Sequence, residues 1–234
     1  MIYQNFSKRQ LLTLTWWNKP QFMDCDGIIC DGSIRSGKTV SMTDGFILWS
    51  MSRFNGQSFA ICGKTIEIIT SGGVTNSYYM FGGKDESSYT LVQGITLAGV
   101  LFDEVALMPR SFVEQAMARC SVAGSKFWFN CNPENPGHWF YVEWIKKARE
   151  RNILYLHFTM DDNLSLAPEI KARYEGMYTG VFYRRYILGL WVKAEGLVYP
   201  MFDRSAHIVP KVPALNPRHR YYVAVDYGTV NPFA

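Results

Sequence analysis

The stretch Gly32-Ser33-Ile34-Arg35-Ser36-Gly37-Lys38-Thr39 fits G-x-x-x-x-G-K-[ST], and it constrains the 234-residue chain more than any other feature. Glycines at its ends let the backbone turn tightly and aim N–H groups at phosphate oxygens. A following helix adds its positive N-terminal end. Lys38 is expected to reach the β- and γ-phosphates of a nucleotide, and the Thr39 hydroxyl to hold Mg²⁺. The context agrees. Gly27-Ile28-Ile29-Cys30-Asp31 is an apolar strand leading in, and residues 40–51 have helical apolar spacing leading out.

The rest of the chain alternates in the same way. Strands are expected at 58–63, 99–103, 126–131 and 153–158, and helices at 110–119, 138–150 and within 168–191. A shorter helical pattern surrounds Leu11, Leu12, Leu14 and Trp17. Residues 64–98 suggest a short helix and then strands, turning at Gly82-Gly83 and Gly94. This is an α/β pattern: a P-loop NTPase with a mostly parallel sheet flanked by helices. Prolines 200, 210, 213 and 217 mark a linker over 200–220, after an ATPase domain over 1–199. One more apolar strand, ending at Asp226, opens a further unit over 221–234.

Val100-Leu101-Phe102-Asp103-Glu104 is an apolar strand ending in two acids. In a P-loop enzyme the strand-end acid holds Mg²⁺ through water, and an adjacent Glu can orient and deprotonate the attacking water. Asp103 is thus the expected metal residue and Glu104 the expected general base. A water-activating base suits an NTP hydrolase better than a kinase, which must exclude water. The strand Phe127-Trp128-Phe129-Asn130-Cys131-Asn132-Pro133 also ends in polar groups, where an Asn could sense the γ-phosphate or simply form an Asn-Pro turn. Arg35, inside the loop, and Arg119 are the candidates to stabilise transition-state charge; a surface role is open for Arg119.

Composition narrows the field further. Hydrophobic residues make up 48% of the chain and charged residues 19%, which supports a buried core and argues against long disordered tails. The net charge of +4 is compatible with a polyanionic partner without requiring one. Cys25, Cys30, Cys62, Cys120 and Cys131 contain no CxxC pair, and three of them sit in apolar strands, as expected of reduced core cysteines. No apolar run reaches the ~18 residues of a membrane span.

Taken together, these segments resemble the large terminase subunits of tailed phages, particularly those of phages and prophages of Gram-positive bacteria. Phe6-Ser7-Lys8-Arg9-Gln10 resembles the family's adenine-recognition segment, which implies that Gln10 reads the base edge. Residues 93–104 are similar to the segment ending in the family's Mg²⁺ and base acids. Asn130-Cys131-Asn132-Pro133-Glu134-Asn135-Pro136 resembles the coupling region, implying that Asn132 links hydrolysis to movement. Tyr183-Arg184-Arg185-Tyr186 through Trp191-Val192 resembles the end of the ATPase domain. Val223-Ala224-Val225-Asp226-Tyr227-Gly228 resembles the first strand of a ribonuclease-H-like nuclease, with Asp226 as its first metal-binding carboxylate. The rest of that nuclease is absent, so DNA cleavage is not expected of this chain.

The resemblance implies an ATP- and Mg²⁺-dependent motor that drives double-stranded DNA into a procapsid. Its implied partners are a small terminase subunit, a portal protein and, during packaging, a homo-oligomeric ring. Its implied location is the host cytoplasm, transiently at the procapsid, with no membrane. The competing classes are a P-loop phosphotransferase acting on a nucleotide or small molecule, a helicase, and a non-catalytic nucleotide-binding scaffold. Glu104 argues against the first, and 234 residues cannot hold the two motor lobes of many helicases.

Overall fold

The computed structural model describes residues 6–62, 67–82 and 93–193, all within the compact unit Met1–Glu195. The 200–220 linker, the strand ending at Asp226 and Asp226 itself lie outside the described residues.

A seven-stranded sheet organises this unit. Its strands are β1 (Gly27–Gly32), β2 (Ser58–Cys62), β3 (Glu67–Ser71), β4 (Val74–Phe81), β5 (Gly99–Asp103), β6 (Lys126–Cys131) and β7 (Ile153–Phe158). The spatial order is β3-β4-β2-β5-β6-β1-β7, all parallel except the antiparallel edge strand β3. The continuous apolar character of β1 and β5 follows from their position. β1 is buried along its whole length and β5 along four of its five residues, as strands covered on both faces must be.

The principal helices are α1 (Lys8–Thr15), α2 (Lys38–Arg53), α3 (Arg110–Ala118) and α4 (Pro168–Met177). Met42, Gly45, Phe46 and Trp49 of α2 recur at helical spacing and are buried. Met42, Phe46 and Trp49 join Trp16, Phe59, Tyr78 and Trp128 in one aromatic-rich core. Phe112, Val113 and Ala116 of α3 pack into a second core with Phe102, Phe129, Phe140 and Trp144. The sheet thus has a core on each face. Cys30, Cys62 and Cys131 are buried free thiols.

Three local expectations change. Within 64–98, the described residues form a β3–β4 hairpin that turns at Gly72-Gly73, in place of the short helix expected there; the expected turn at Gly94 (φ +77°) is present, and Gly83 lies outside the described residues. Within 138–150, a wide π-turn over Tyr141–Ile145 replaces a regular helix, with Lys146 N–H bonding Tyr141 O at 2.9 Å. That turn buries Trp144 and Ile145 beside Phe140 in the second core. Within 168–191, α4 ends at Met177, and a short helix (Gly180–Phe182) runs into a second π-turn (Tyr183–Ile187).

Candidate active site

The strand order decides what meets the phosphate loop. β6 lies between β1 and β5, with Asn130 level with both Cys30 and Asp103. The C-terminal ends of β1, β5 and β6 therefore open side by side, where ligands bind in open parallel sheets.

The loop leaves β1 at Gly32 (φ +131°), where an added Cβ would stand 1.9 Å from the Phe158 carbonyl oxygen. It closes at Gly37 (φ +83°), the left-handed residue that starts α2. A side chain is excluded at both positions. Ser41 N–H makes the first bond back to Gly37 O (3.1 Å), so the N–H groups of residues 38–40 face outward at the helix start. The Lys38 ammonium is buried and surrounded by four oxygens: Ser33 O at 2.7 Å, and Gly32 O, Ser36 Oγ and Asn132 Oδ1, each at 3.2 Å. These oxygens occupy the positions that phosphate oxygens would compete for. Burial pulls the Lys38 ammonium below its usual pKa, partly offset by Cys131, Glu104, Asp31 and Cys30.

Two pairs of side chains complete the site. Asn130 donates to Thr39 Oγ1 (2.9 Å) and to Asp103, while Thr39 Oγ1 lies 3.3 Å from Asp103 Oδ1. This hydroxyl–carboxylate pair fits Mg²⁺, which keeps several waters and takes few protein ligands beside the phosphates. Asn130 Oδ1 is buried without a hydrogen-bond partner. The second pair is Asn132 and Glu104. Asn132 Nδ2 donates to Glu104 Oε1 (3.0 Å) and Oε2 (3.2 Å), while its Oδ1 accepts from Lys38. One amide thus bridges the phosphate-binding cation and the carboxylate.

Glu104 adopts φ 61°, ψ 45°, a left-handed conformation costly for a non-glycine residue. In a continuing strand Asp103 and Glu104 would point to opposite faces; the left-handed turn breaks that alternation. Burial raises the Glu104 pKa, Asp103 raises it further, and Lys38 and the Asn132 bonds oppose the rise. A half-buried carboxylate of raised pKa beside a phosphate loop can accept a proton from water.

Several expected site residues stand elsewhere. Ser33 N–H is bonded to Phe158 O and Ile34 N–H to Tyr186 O, each at 2.9 Å, so these two amides are not aimed at phosphate. Arg35 is exposed, and its Nε donates to the Tyr174 hydroxyl at 2.9 Å. Gln10 serves a capping box: Ser7 N–H donates to its Oε1 at 2.9 Å, and its amide nitrogen packs against Gly37. It thus stands beside Gly37 of the loop and, among the described residues, is not one of those lining the cleft in front of it. Arg119 ends α3, and its carbonyl accepts Leu97 N–H (2.8 Å), just before β5 begins and at the opposite end of that strand from Asp103. Sequence reasoning missed Asn130 as the Thr39–Asp103 bridge, and Asn163, Met177 and Tyr178 as walls of the cleft. Only the strand-end position of Asn130 could have signalled it.

A parallel sheet with a phosphate loop on one strand, an Asp-Glu pair on another and a polar strand end between them defines a P-loop NTPase. The family within that class follows from comparison with known proteins. Residues 54–206 match the model "Terminase large subunit, T4likevirus-type, N-terminal". The large terminase of a thermophilic bacteriophage is 54% identical, with a TM-score of 0.78, over 98% of this chain and 64% of its own. The same phage's terminase in complex with ATP-gamma-S is similar at 52% identity and TM-score 0.76, over 98% of this chain and 63% of its own. The large terminase ATPase domain of Thermus phage P74-26 is 13% identical, with a TM-score of 0.54 over 81% of this chain and all of its own, a likeness of fold alone. No curated protein sequence matches significantly. The chain belongs to the terminase large subunit family, and it spans less than two thirds of the thermophilic phage's terminase chain.

Proposed function

We propose that this chain is the ATP-hydrolysing part of a DNA-packaging motor, moving double-stranded DNA into a procapsid. The observation that carries the reading is the bridge from Lys38 through Asn132 to Glu104, which ties the phosphate-binding cation to the base that activates water. The ATP-gamma-S complex of the thermophilic phage's terminase supports a nucleotide in this site.

Each residue then has a task. The first-turn amides of α2 and Lys38 bind the β- and γ-phosphates. Thr39 and Asp103, aligned by Asn130, would hold Mg²⁺, which would supply neutralisation of charge on the transferring group. Glu104 orients the attacking water and takes its proton. Lys38 exchanges the Asn132 amide oxygen for a phosphate oxygen as the site fills, and Asn132 so reports nucleotide state to Glu104.

The family supports further readings: the small terminase subunit and portal protein as partners, a ring of subunits around DNA, and the host cytoplasm as location. Among the described residues, no helix is long and apolar enough to cross a membrane. The Gram-positive phage type, the division at residues 199 and 220, and Asp226 as a nuclease carboxylate rest on sequence resemblance.

The test is phosphate release with and without linear double-stranded DNA. Wild type should hydrolyse ATP faster with DNA, and Lys38→Ala should lose at least ~100-fold in turnover. Turnover of the variant near wild type would remove the phosphate-loop assignment, and turnover indifferent to DNA would remove the motor.

A further inference from the structure

Gly189 follows the turn Tyr183–Ile187 at φ +69°, where a left-handed glycine commonly stops a helical segment. Leu188 and Leu190 on either side are 44% and 42% exposed, so these leucines are not what holds the segment down. Contacts to the phosphate loop do that. Tyr186 O accepts Ile34 N–H at 2.9 Å, and the Trp191 indole donates to Asp31 Oδ2 at 2.7 Å. Gly189 lies between these two bonds in the chain. A Cβ added to it would stand 2.8 Å from Ser33 N, 3.1 Å from Gly32 C and 3.0 Å from His157 Cε1. The partners run in opposite order along the two segments: residues 186, 189 and 191 meet residue 34, residues 33 and 32, and residue 31.

The peptide that Gly189 touches is one that supports Lys38. Its approach to Ser33 N and Gly32 C is nearly equal, so it lies over the Gly32–Ser33 peptide bond. That peptide offers Gly32 O to the Lys38 ammonium at 3.2 Å, its N–H goes to Phe158 O at 2.9 Å, and the next carbonyl, Ser33 O, meets Lys38 at 2.7 Å. Two of the four oxygens around Lys38 thus belong to residues backed by Gly189. A side chain at 189 cannot share this space. Either the peptide moves or the segment lifts, and both change the support of Lys38.

A capping role accounts for the left-handed backbone, and asparagine also fills that role. It does not account for a missing side chain that faces the backbone of the loop rather than solvent. Gly56 gives the contrast, with φ +70° and nothing within 4 Å of an added Cβ.

We infer that Gly189 is a positioning residue for phosphate binding: by packing on the Gly32–Ser33 peptide it holds the two carbonyls that orient the Lys38 ammonium. This rests on the phosphate-loop reading above and extends it to a residue that touches no phosphate.

Titration calorimetry with Mg²⁺ and either ATP or inorganic tripolyphosphate tests this, at a temperature where each variant is folded by its thermal unfolding curve. Gly189→Ala should weaken both ligands about tenfold and by the same factor, because only phosphate contacts are disturbed. Gly189→Asn should lose as much, because asparagine tolerates the left-handed backbone but still carries the Cβ. Gly56→Ala, with the same backbone strain and no neighbour, should bind both ligands within about twofold of wild type. Wild-type affinity in folded Gly189→Ala, recovery in Gly189→Asn, or a loss confined to ATP would each overturn the role. If neither Gly189 variant folds, wild type decides: by linkage, phosphate must hold the segment as the segment holds the loop. Saturating Mg²⁺-tripolyphosphate should then slow amide exchange of residues 184–191 about tenfold, and unchanged exchange would overturn the role. Failure of the underlying reading has a separate signature: Lys38→Ala would bind ATP and tripolyphosphate as wild type does.

Discussion

Trp191→Phe should destabilise the folded unit through one hydrogen bond. Asp31, the last residue before the loop glycine Gly32, has a fully buried side chain. Its Oδ1 accepts from the Tyr155 hydroxyl and lies against His157 Nδ1, each at 2.9 Å, and its Oδ2 accepts from the Trp191 indole at 2.7 Å. Phenylalanine keeps a ring to stack on Tyr141, whose centroid is 4.7 Å from that of Trp191, but it has no N–H. Oδ2 is then a buried oxygen of a charged group without that donor. A hydrogen bond to a charged group contributes about 1.5–3 kcal/mol. At about 2–4 °C per kcal/mol for a unit of this size, the melting temperature should fall by about 3–12 °C.

The assay is thermal unfolding of wild type, Trp191→Phe, Asp31→Asn and the double variant. A coupled pair gives a double variant less destabilised than the sum of the singles. A fall under about 1 °C for Trp191→Phe, or strictly additive losses, would refute the assignment of this bond as the anchor of residues 188–193. The anchor matters because the turn just before that segment reaches the loop as well, through Tyr186 O on Ile34 N–H, and reaches the residues after Asn132 through Arg185 on Glu134 at 2.8 Å.

Glu104→Gln should bind ATP and Mg²⁺ yet stall before hydrolysis, while Asp103→Asn should weaken Mg²⁺-dependent binding; equilibrium binding and single-turnover assays separate the two, and identical behaviour would show the roles misassigned. The pH profile of kcat/KM should be narrowed from both sides. Glu104 must be ionised and its pKa is raised, so activity is lost on acidification at a pH above the ordinary Glu value of about 4.3. Lys38 must be charged and its pKa is lowered, so the alkaline loss comes below the ordinary Lys value of about 10.4. Bound phosphate favours the charged ammonium, so the alkaline limb of kcat should lie higher than that of kcat/KM. Asn132→Ala should reduce the DNA stimulation of turnover more than ATP affinity, and a variant stimulated like wild type would count against the coupling role.

The parts of this site that were legible in the sequence are those written in contiguous residues. The loop, the strand before it and the Asp103-Glu104 strand end each carry their chemistry and their context within about ten residues. Asn130 does not. Its role comes from β6 inserting between β1 and β5, which brings it level with Asp103 through pairings across more than 25 residues. Asp31 read only as a strand end, because its partners Tyr155, His157 and Trp191 are more than 120 residues away. Gln10 carries a local signal as well: Ser7-x-x-Gln10 is a capping-box pattern, and it forms that box at the start of α1. The wide turn at Tyr141–Ile145 was hidden because its aromatic spacing is also helical.

The phosphate loop is held from three directions, and this bears on the proposed coupling of hydrolysis to movement. From behind, α1 supports Gly37 through Gln10, and Arg9 binds Asp162 at 2.8 Å beside Asn163. From the cleft side, Asn163 and Tyr174 hold the backbone and side chain of Arg35. From below, Tyr186 and Trp191 hold Ile34 and Asp31. A ligand shifts a conformational equilibrium only through contacts that differ between its states. Here the contacts available to differ are those of Lys38, whose four oxygen partners include Asn132, because a phosphate must compete with them for the ammonium. Losing the Lys38–Asn132 bond frees one end of an amide whose other end holds Glu104. The chain beyond Asn132 continues through Glu134 to Arg185, whose guanidinium also binds Val192 O at 2.9 Å. The Lys38–Asn132–Glu104 bonds and the Glu134–Arg185–Val192 bonds are therefore joined by the backbone of residues 132–134, and Asn132 is the point at which a change of phosphate state is expected to enter.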